Sequence, residues 1–286
     1  MNPNLAHMFN DNDLVFPNRL DDIKDAEILP FFSITDEDEE GTTIAGESPK
    51  TLPILALKNT VLFPGVIIPI TVGRTKSVNA VKEAYDKDKL IAVFSQKSPD
   101  TKTPGLDDLY RTGAIARIVK LITMPDGNTT AILKGSERSI LIELSQEEPY
   151  LKGVVQSKPD TLPQDVKFKA RISSIKDIAK NIIELSQQIP NEATLMLANI
   201  QNDSHLLNFI SSNIAISTLE KQNLLEMTDI VEKAKIIHKK IDEEQQMLEV
   251  KGQIESKVKG DIERQQRDYF LNQQLKTIQD LSLIHI

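Results

Sequence analysis

Between residues 229 and 280 the chain runs for 52 residues without a proline, and with glycine only at 252 and 260. A single helix of that length would reach about 78 Å at ~1.5 Å per residue. Ala234, Ile241, Leu248 and Ile262 fall on one seven-residue frame, and Ile230, Ile237 and Val258 on a second. Glu244, Lys251 and Glu255 put charge into both frames, so the apolar seam is broken. The expectation for 229–280 is a short coiled-coil arm or an interdomain strut, not a long zipper.

Upstream, residues 158–228 carry shorter helical periods. After Pro159 and Pro163, Phe168, Ile172, Ile175, Ile178, Ile182, Leu185 and Ile189 recur at spacings of three and four, which predicts a helix over 165–189 closed by Pro190. "NEATLMLANI" and "DSHLLNFISSNI" read as two more, the second capped by Asp203. "STLE" at 217–220 has the serine and glutamate of a capping box before "KQNLLEM".

Residues 51–157 have the texture of a sheet. "LPILALKNTVLFPGVIIPITV" is rich in β-branched residues and broken by Pro53, Pro64 and Pro69, so its strands are short, bent or at an edge. In "TKSVNAVKEAYDKD", Val78, Val81 and Tyr85 share one face of a short helix, and "LIAVFSQ" is a continuous apolar run of the kind that fills a buried strand. "GAIARIVKLITM" alternates, "PDGN" at 125–128 makes a turn, and "TTAILKG" and "RSILIELSQ" follow as separate strands. The fold class is therefore α+β: a mostly antiparallel β domain, then an all-α bundle running into a long C-terminal helix.

Charge separates the first segment from the rest. Residues 1–50 hold twelve acidic and three basic residues, with an unbroken acidic run at 36–40, while the remainder is nearly neutral. Such a run repels itself, so 1–50 is expected to be a disordered acidic tail; Phe31, Phe32 and Ile34 are its alternative as a docking motif. Without a basic block, nucleic acid is not expected as a partner. A first basic residue at Arg19, and no apolar run long enough for a signal or a membrane span, make the cytoplasm the default and the membrane an unexpected partner.

Several chemistries find no foothold. The chain has no cysteine, which removes disulfides and thiolate sites. Its 11 glycines are scattered without a phosphate-binding pattern, and "LKGSE" (133–137) reads as a turn between strands. His7, His205, His238 and His285 lack metal-ligand spacing. Asp107-Asp108 and Glu147-Glu148 read as solvated loop charge. No catalytic, cofactor or metal residue is therefore assigned; by itself the chain reads as a binding module.

Specific strings carry a resemblance. "LPILALKNTVLFPGVIIPITVGRTKSVNAV", with Phe63-Pro64-Gly65 and Val72-Gly73-Arg74, resembles the opening of the N-terminal domain of the Lon protease family. "DLYRTGAIARIVKLITMPDGNTTAILKGSERSIL" continues in that family's order, and "ERQQRDYFLNQQLKTIQ" resembles the helix that precedes its ATPase module. The resemblance implies a PUA-like β domain at 51–157, a helical subdomain at 158–228, and an arm at 229–280 leading towards an AAA+ module. It also implies a parent that is an ATP-dependent serine endopeptidase with a Ser-Lys dyad, using ATP and Mg²⁺, and assembled as a homohexamer. All of that machinery would lie outside these residues, and the segment itself would be inactive. Its partners would be unfolded or damaged polypeptides.

Capture of unfolded chains needs accessible apolar surface on a rigid, weakly charged scaffold. Phe63, Ile67 and Leu121 on the sheet, and Tyr269, Phe270 and Leu271 on the last helix, are the candidate substrate or interdomain contacts. Three adjacent helical residues cannot all face one core, so at least one of the last three meets another domain or subunit. A free-standing adaptor without a motor is the alternative reading, and a PUA-like RNA binder is disfavoured by the charge. Finally, "LSLIHI" at 281–286 abandons the polar pattern before it. One back-translation, CTG-TCT-CTT-ATA-CAC-ATC, coincides with a transposon-end adapter used in sequencing libraries, so these six residues are expected to be non-native.

Overall fold

The computed structural model describes residues 48–123, 129–160, 162–163, 165–186 and 192–283. The acidic tail through residue 47, the turn at 125–128, the stop at Pro190 and residues 284–286 lie outside them.

Six strands and a helix form the first layer: β1 (Lys50–Leu57), β2 (Ile67–Val72), α1 (Thr75–Asp86), β3 (Leu90–Ser95), β4 (Thr112–Thr123), β5 (Thr129–Gln146) and β6 (Lys152–Ser157). They pair in the order β2-β5-β4-β3-β1-β6, and β5 pairs again with β6, so the sheet closes upon itself and leaves β2 outside the ring. Every pairing is antiparallel except β1 with β3, which the α1 crossover separates. Proline has no N–H to give to a ladder, and Pro69 sits on β2, which pairs with β5 alone. An edge of this kind resists further strand addition.

Closure depends on β5 being longer than the sequence suggests. "LKGSE" is not a turn: residues 129–146 form one strand of 18 residues. Ser136 is passed over between the pairs Gly135↔Ala116 and Glu137↔Ile115, and Ile142 between Leu141↔Val155 and Glu143↔Val154. Each such bulge bends the strand and tightens its twist, so that β5 lies between β2 and β4 in its first half and pairs with β6 in its last. On β4, Val119 is passed over in the same way. Val119 and Ile142 are both exposed, because a bulged residue leaves the pleat that would have buried it.

The expected alternation of β4 is also lost in its first half. Gly113, Ala114, Ile115 and Ala116 are all buried, because both faces of the strand are covered. Ala114, Ala116 and Ile118 enter a cluster with Val81 and Ala84 of α1, and Ile115 joins Leu52, Phe94 and Leu141 on the other side.

The second layer holds α2 (Val166–Leu185), α3 (Glu192–Asn199), α4 (Asp203–Asn213), α5 (Thr218–Glu226) and α6 (Ile230–Leu283). Side chains fix their starts. Asp165 accepts from the Lys167 amide, and Ser217 with Glu220 completes the capping box read from the sequence. For α4 the cap is Asn202 rather than Asp203: its Oδ1 accepts from the Ser204 and His205 amides at 2.9 and 3.2 Å.

The two layers share a core. Val61, Phe63 and Val66, from the loop between β1 and β2, lie in the same apolar cluster as Phe168, Ile175, Leu207, Ile237 and Ile241 of the helices. Gly65 makes the loop possible, with φ near +79°, a region costly for any side chain. Gly135 lets the loop close on β5: its N–H donates to Val66 O, and its carbonyl accepts from Gly65 N, both at 2.9 Å. A Cβ on Gly135 would stand 2.3 Å from Phe63 O. Gly135→Ala is expected to destabilise the chain by about 2–4 kcal/mol, in the range of backbone-strain and overpacking effects. Urea unfolding followed by circular dichroism reads this as a lower midpoint; an unchanged midpoint would refute the close approach.

Candidate functional site

Polar residues hold the junction between sheet and helices. Arg138, on β5, is 4% exposed and uses every guanidinium nitrogen. Its Nη2 pairs with Asp160 Oδ1 at 2.8 Å, Nε donates to Lys158 O at 3.2 Å, and Nη1 donates to Leu225 O and Met227 O at 3.3 and 2.8 Å. Those last carbonyls end α5, where the helix dipole favours a cation. Asp160 also accepts from Ser204 Oγ at 2.9 Å, and Gln222 of α5 donates to Thr112 O of β4 at 2.9 Å. Here β5, the segment after β6, α4 and α5 meet in a single network.

A second polar group lies beneath it. Lys233 of α6 is 3% exposed; its ammonium donates to Asn208 Oδ1 at 2.5 Å and lies 5.5 Å from the centre of the Phe63 ring. Asn208 donates in turn to Pro64 O at 3.2 Å. The Phe63-Pro64-Gly65 loop is thereby gripped by an amide, a cation and, beside Gly65, the ring of His205.

Burial pushes the Lys233 ammonium down to about 8; nearby Asp160 opposes this and Arg138 adds to it. An ordinary lysine titrates near 10.4 in the unfolded chain, so there the unfolded state binds more protons above pH ~8. Keeping Lys233 charged therefore weakens the fold below pH ~8, and stability recovers as pH rises towards ~10.4. A depression of this size corresponds to about 3 kcal/mol at ~1.4 kcal/mol per unit. Lys233→Met is expected to lose this rise. Equilibrium unfolding at several pH values between 8 and 10 tests it; equal slopes in both proteins would contradict the burial of a charged lysine.

The candidate contacts divide sharply. Phe63 is 0% exposed and offers no surface: it is the plug of the junction. Ile67 and Leu121 are half-buried on the sheet. Tyr269, Phe270 and Leu271 are 66%, 60% and 50% exposed, and all three stand on the part of α6 that has left the body. That departure is visible along the helix. Ile230, Ala234, Ile237 and Ile241 are buried in the shared core and Leu248 packs against it, whereas residues 249–278 are all exposed. The first part of the broken seam thus belongs to the chain's own bundle. On the arm, Val250, Ile254, Val258 and Ile262 recur every four residues, and Tyr269, Phe270, Leu271, Leu275 and Ile278 follow, all exposed. The backbone of α6 continues through Leu283, into the segment expected to be non-native.

Sequence reasoning missed Arg138, Asn208 and Lys233 as junction residues. Signals existed: Asn208 interrupts the apolar string "LLNFI", and Lys233 lies three residues after buried Ile230. Among the described residues no group of three or more His, Asp or Glu side chains could hold a metal ion, and no helix is long and apolar enough to cross a membrane.

A closed small sheet plugged into a helical bundle, with a helical arm projecting from it, defines the class: a two-layer body on a helical strut. Residues 51–243 match the family described as the ATP-dependent protease La (LON) substrate-binding domain. The Lon protease of Flavobacterium johnsoniae is 44% identical over 260 residues, which is 90% of this chain and 31% of the relative. That of Cytophaga hutchinsonii is 40% identical over 258 residues, again 90% of this chain and 32% of the relative. The N-terminal domain of the Lon protease of the Mycobacterium avium complex superposes with a TM-score of 0.57 over 68% of this chain and 98% of its own, at 19% identity. The chain belongs to the Lon protease family and carries its N-terminal substrate-binding domain. It spans about a third of the length of the curated relatives it matches.

Proposed function

We propose that this chain is the recruiting part of an ATP-dependent serine endopeptidase that degrades misfolded, damaged and short-lived regulatory proteins. The observation that carries the reading is the match of residues 51–243 to a substrate-binding domain. ATP, Mg²⁺ and a Ser-Lys dyad belong, on this reading, to the portion of the relatives that this chain does not span. The segment alone then hydrolyses neither ATP nor peptide bonds. Homohexamer assembly and a cytoplasmic setting complete the proposal.

Within it, the PUA-like β domain (51–157) and helical subdomain (158–228), with the first turns of the 229–280 helix packed into their core, form the body, and the rest of that arm carries exposed apolar side chains to the substrate or to a neighbouring module. Ile67 and Leu121 on the sheet, and Tyr269, Phe270 and Leu271 on the arm, are the proposed contact residues. The arm residues touch no core, so their change separates binding from folding. Replacing Tyr269, Phe270 and Leu271 together by serine is expected to move stability by no more than about 0.5 kcal/mol. It should weaken retention of a permanently unfolded, reduced and alkylated lactalbumin by about tenfold, the loss of ~1.4 kcal/mol. Fluorescence anisotropy with the labelled protein reads the affinity; equal binding by both chains would remove the arm from the reading, and absence of binding by the unchanged chain would remove the reading itself.

A further inference from the structure

A cavity of about 200 Å³ opens where the start of α1 meets β1 and the loop at 102–104. It is below the ~300–1,000 Å³ usual for a whole small-molecule ligand and is suited to a single residue. Its floor is apolar. Ile54 and Leu151 belong to a buried cluster, and Ala56 packs against that cluster.

Its rim is cationic, with Arg74, Lys76 and Lys102. Lys76 is neutralised by Glu148 at 2.6 Å. Arg74 and Lys102 have no ion pair among the described residues. Arg74 is nevertheless fixed in place: its Nη2 donates to Gln96 Oε1 at 2.9 Å and to Thr101 O at 3.0 Å. Gln96 is itself 4% exposed and locked by its own 3.0 Å bond to Thr101 O. A buried amide and a carbonyl thus hold a guanidinium in a set orientation without neutralising it.

These two features select a ligand together. An inorganic anion would meet the cations and leave the apolar floor uncovered. An aliphatic side chain from the middle of a polypeptide would cover the floor and leave the cations without a counter-charge. A chain terminus supplies both, as terminal carboxylates do in other peptide-binding folds. We propose that this cavity captures the free C-terminus of a polypeptide. The α-carboxylate lies on Arg74 and Lys102, and a small aliphatic last side chain rests over Ile54, Ala56 and Leu151. The proposal rests on the substrate-recruiting reading and gives it a specific end-binding site, separate from the arm.

The test is fluorescence anisotropy of the 286-residue chain with a labelled peptide, Gly-Ser-Gly-Ser-Gly-Ala-Val, as the free acid and as the C-terminal amide. The acid is expected to bind about tenfold or more tightly than the amide, the range for loss of a charge-assisted contact. Arg74→Gln should remove that preference. Lys102→Gln, at an exposed loop position where folding is not at issue, should reduce it several-fold. Equal binding of acid and amide, or an unchanged preference in Lys102→Gln, would overturn the proposal. So would displacement of the acid peptide by inorganic phosphate at equal concentration, which marks a general anion site. The unfolded-lactalbumin measurement runs in parallel: retained binding there, with no acid preference here, defeats the end-binding site alone, while loss of both defeats the recruiting function.

Discussion

Phe63 leaves a chain segment that belongs to the sheet and fills the core of the helices. Without it the closed sheet and the helical bundle would each have to bury a face on its own, and neither layer is large. Truncating a buried phenylalanine costs about 3–5 kcal/mol, a large share of the ~5–15 kcal/mol by which domains are stable. The loop that carries Phe63 tolerates few alternatives. Gly65 has the turn's left-handed backbone, Gly135 admits the loop against β5, and Asn208 holds the Pro64 carbonyl from the far side. Lys233 then closes the site at the cost of a desolvated charge.

The arm follows from this junction. Ile230 to Ile241 bury one stripe of α6 in the shared core, which anchors the helix and sets the direction in which the remainder leaves. From residue 249 to 278 the same helix has exposed apolar side chains, with none of the described residues covering them. A rigid strut with an exposed apolar row suits the recruiting role proposed for the chain, since a long helix transmits position over distance without needing a core of its own.

Much of the fold was legible in the sequence, because local chemistry decided it. The proline-free stretch after Asp229, the serine and glutamate of 217–220, and the stride of Phe168, Ile172 and Ile175 all became helices as their spacing demanded. Errors arose where tertiary contacts overrode local pattern. "LKGSE" has the residues of a turn, yet Gly135 is small because another backbone passes beside it. Ala114 and Ile115 break their alternation because both faces of β4 are covered. Of the candidate contacts, helical geometry alone argued that at least one of Tyr269, Phe270 and Leu271 leaves the core, and all three are exposed. The burial of Phe63 could not be argued in this way, since its partners lie more than a hundred residues away in Phe168, Leu207 and Lys233.

The Phe63 loop makes sheet and bundle one cooperative body, with the arm outside it. Native-state hydrogen exchange measures this directly, because amides that open only with global unfolding share one free energy. The amides of Leu133 in β5 and Ile237 in α6 are predicted to exchange with that same free energy, and those of 255–275 with a much smaller one. If the bundle amides opened at a clearly lower free energy than those of the sheet, the two layers would be independent and the Phe63 loop would not join them.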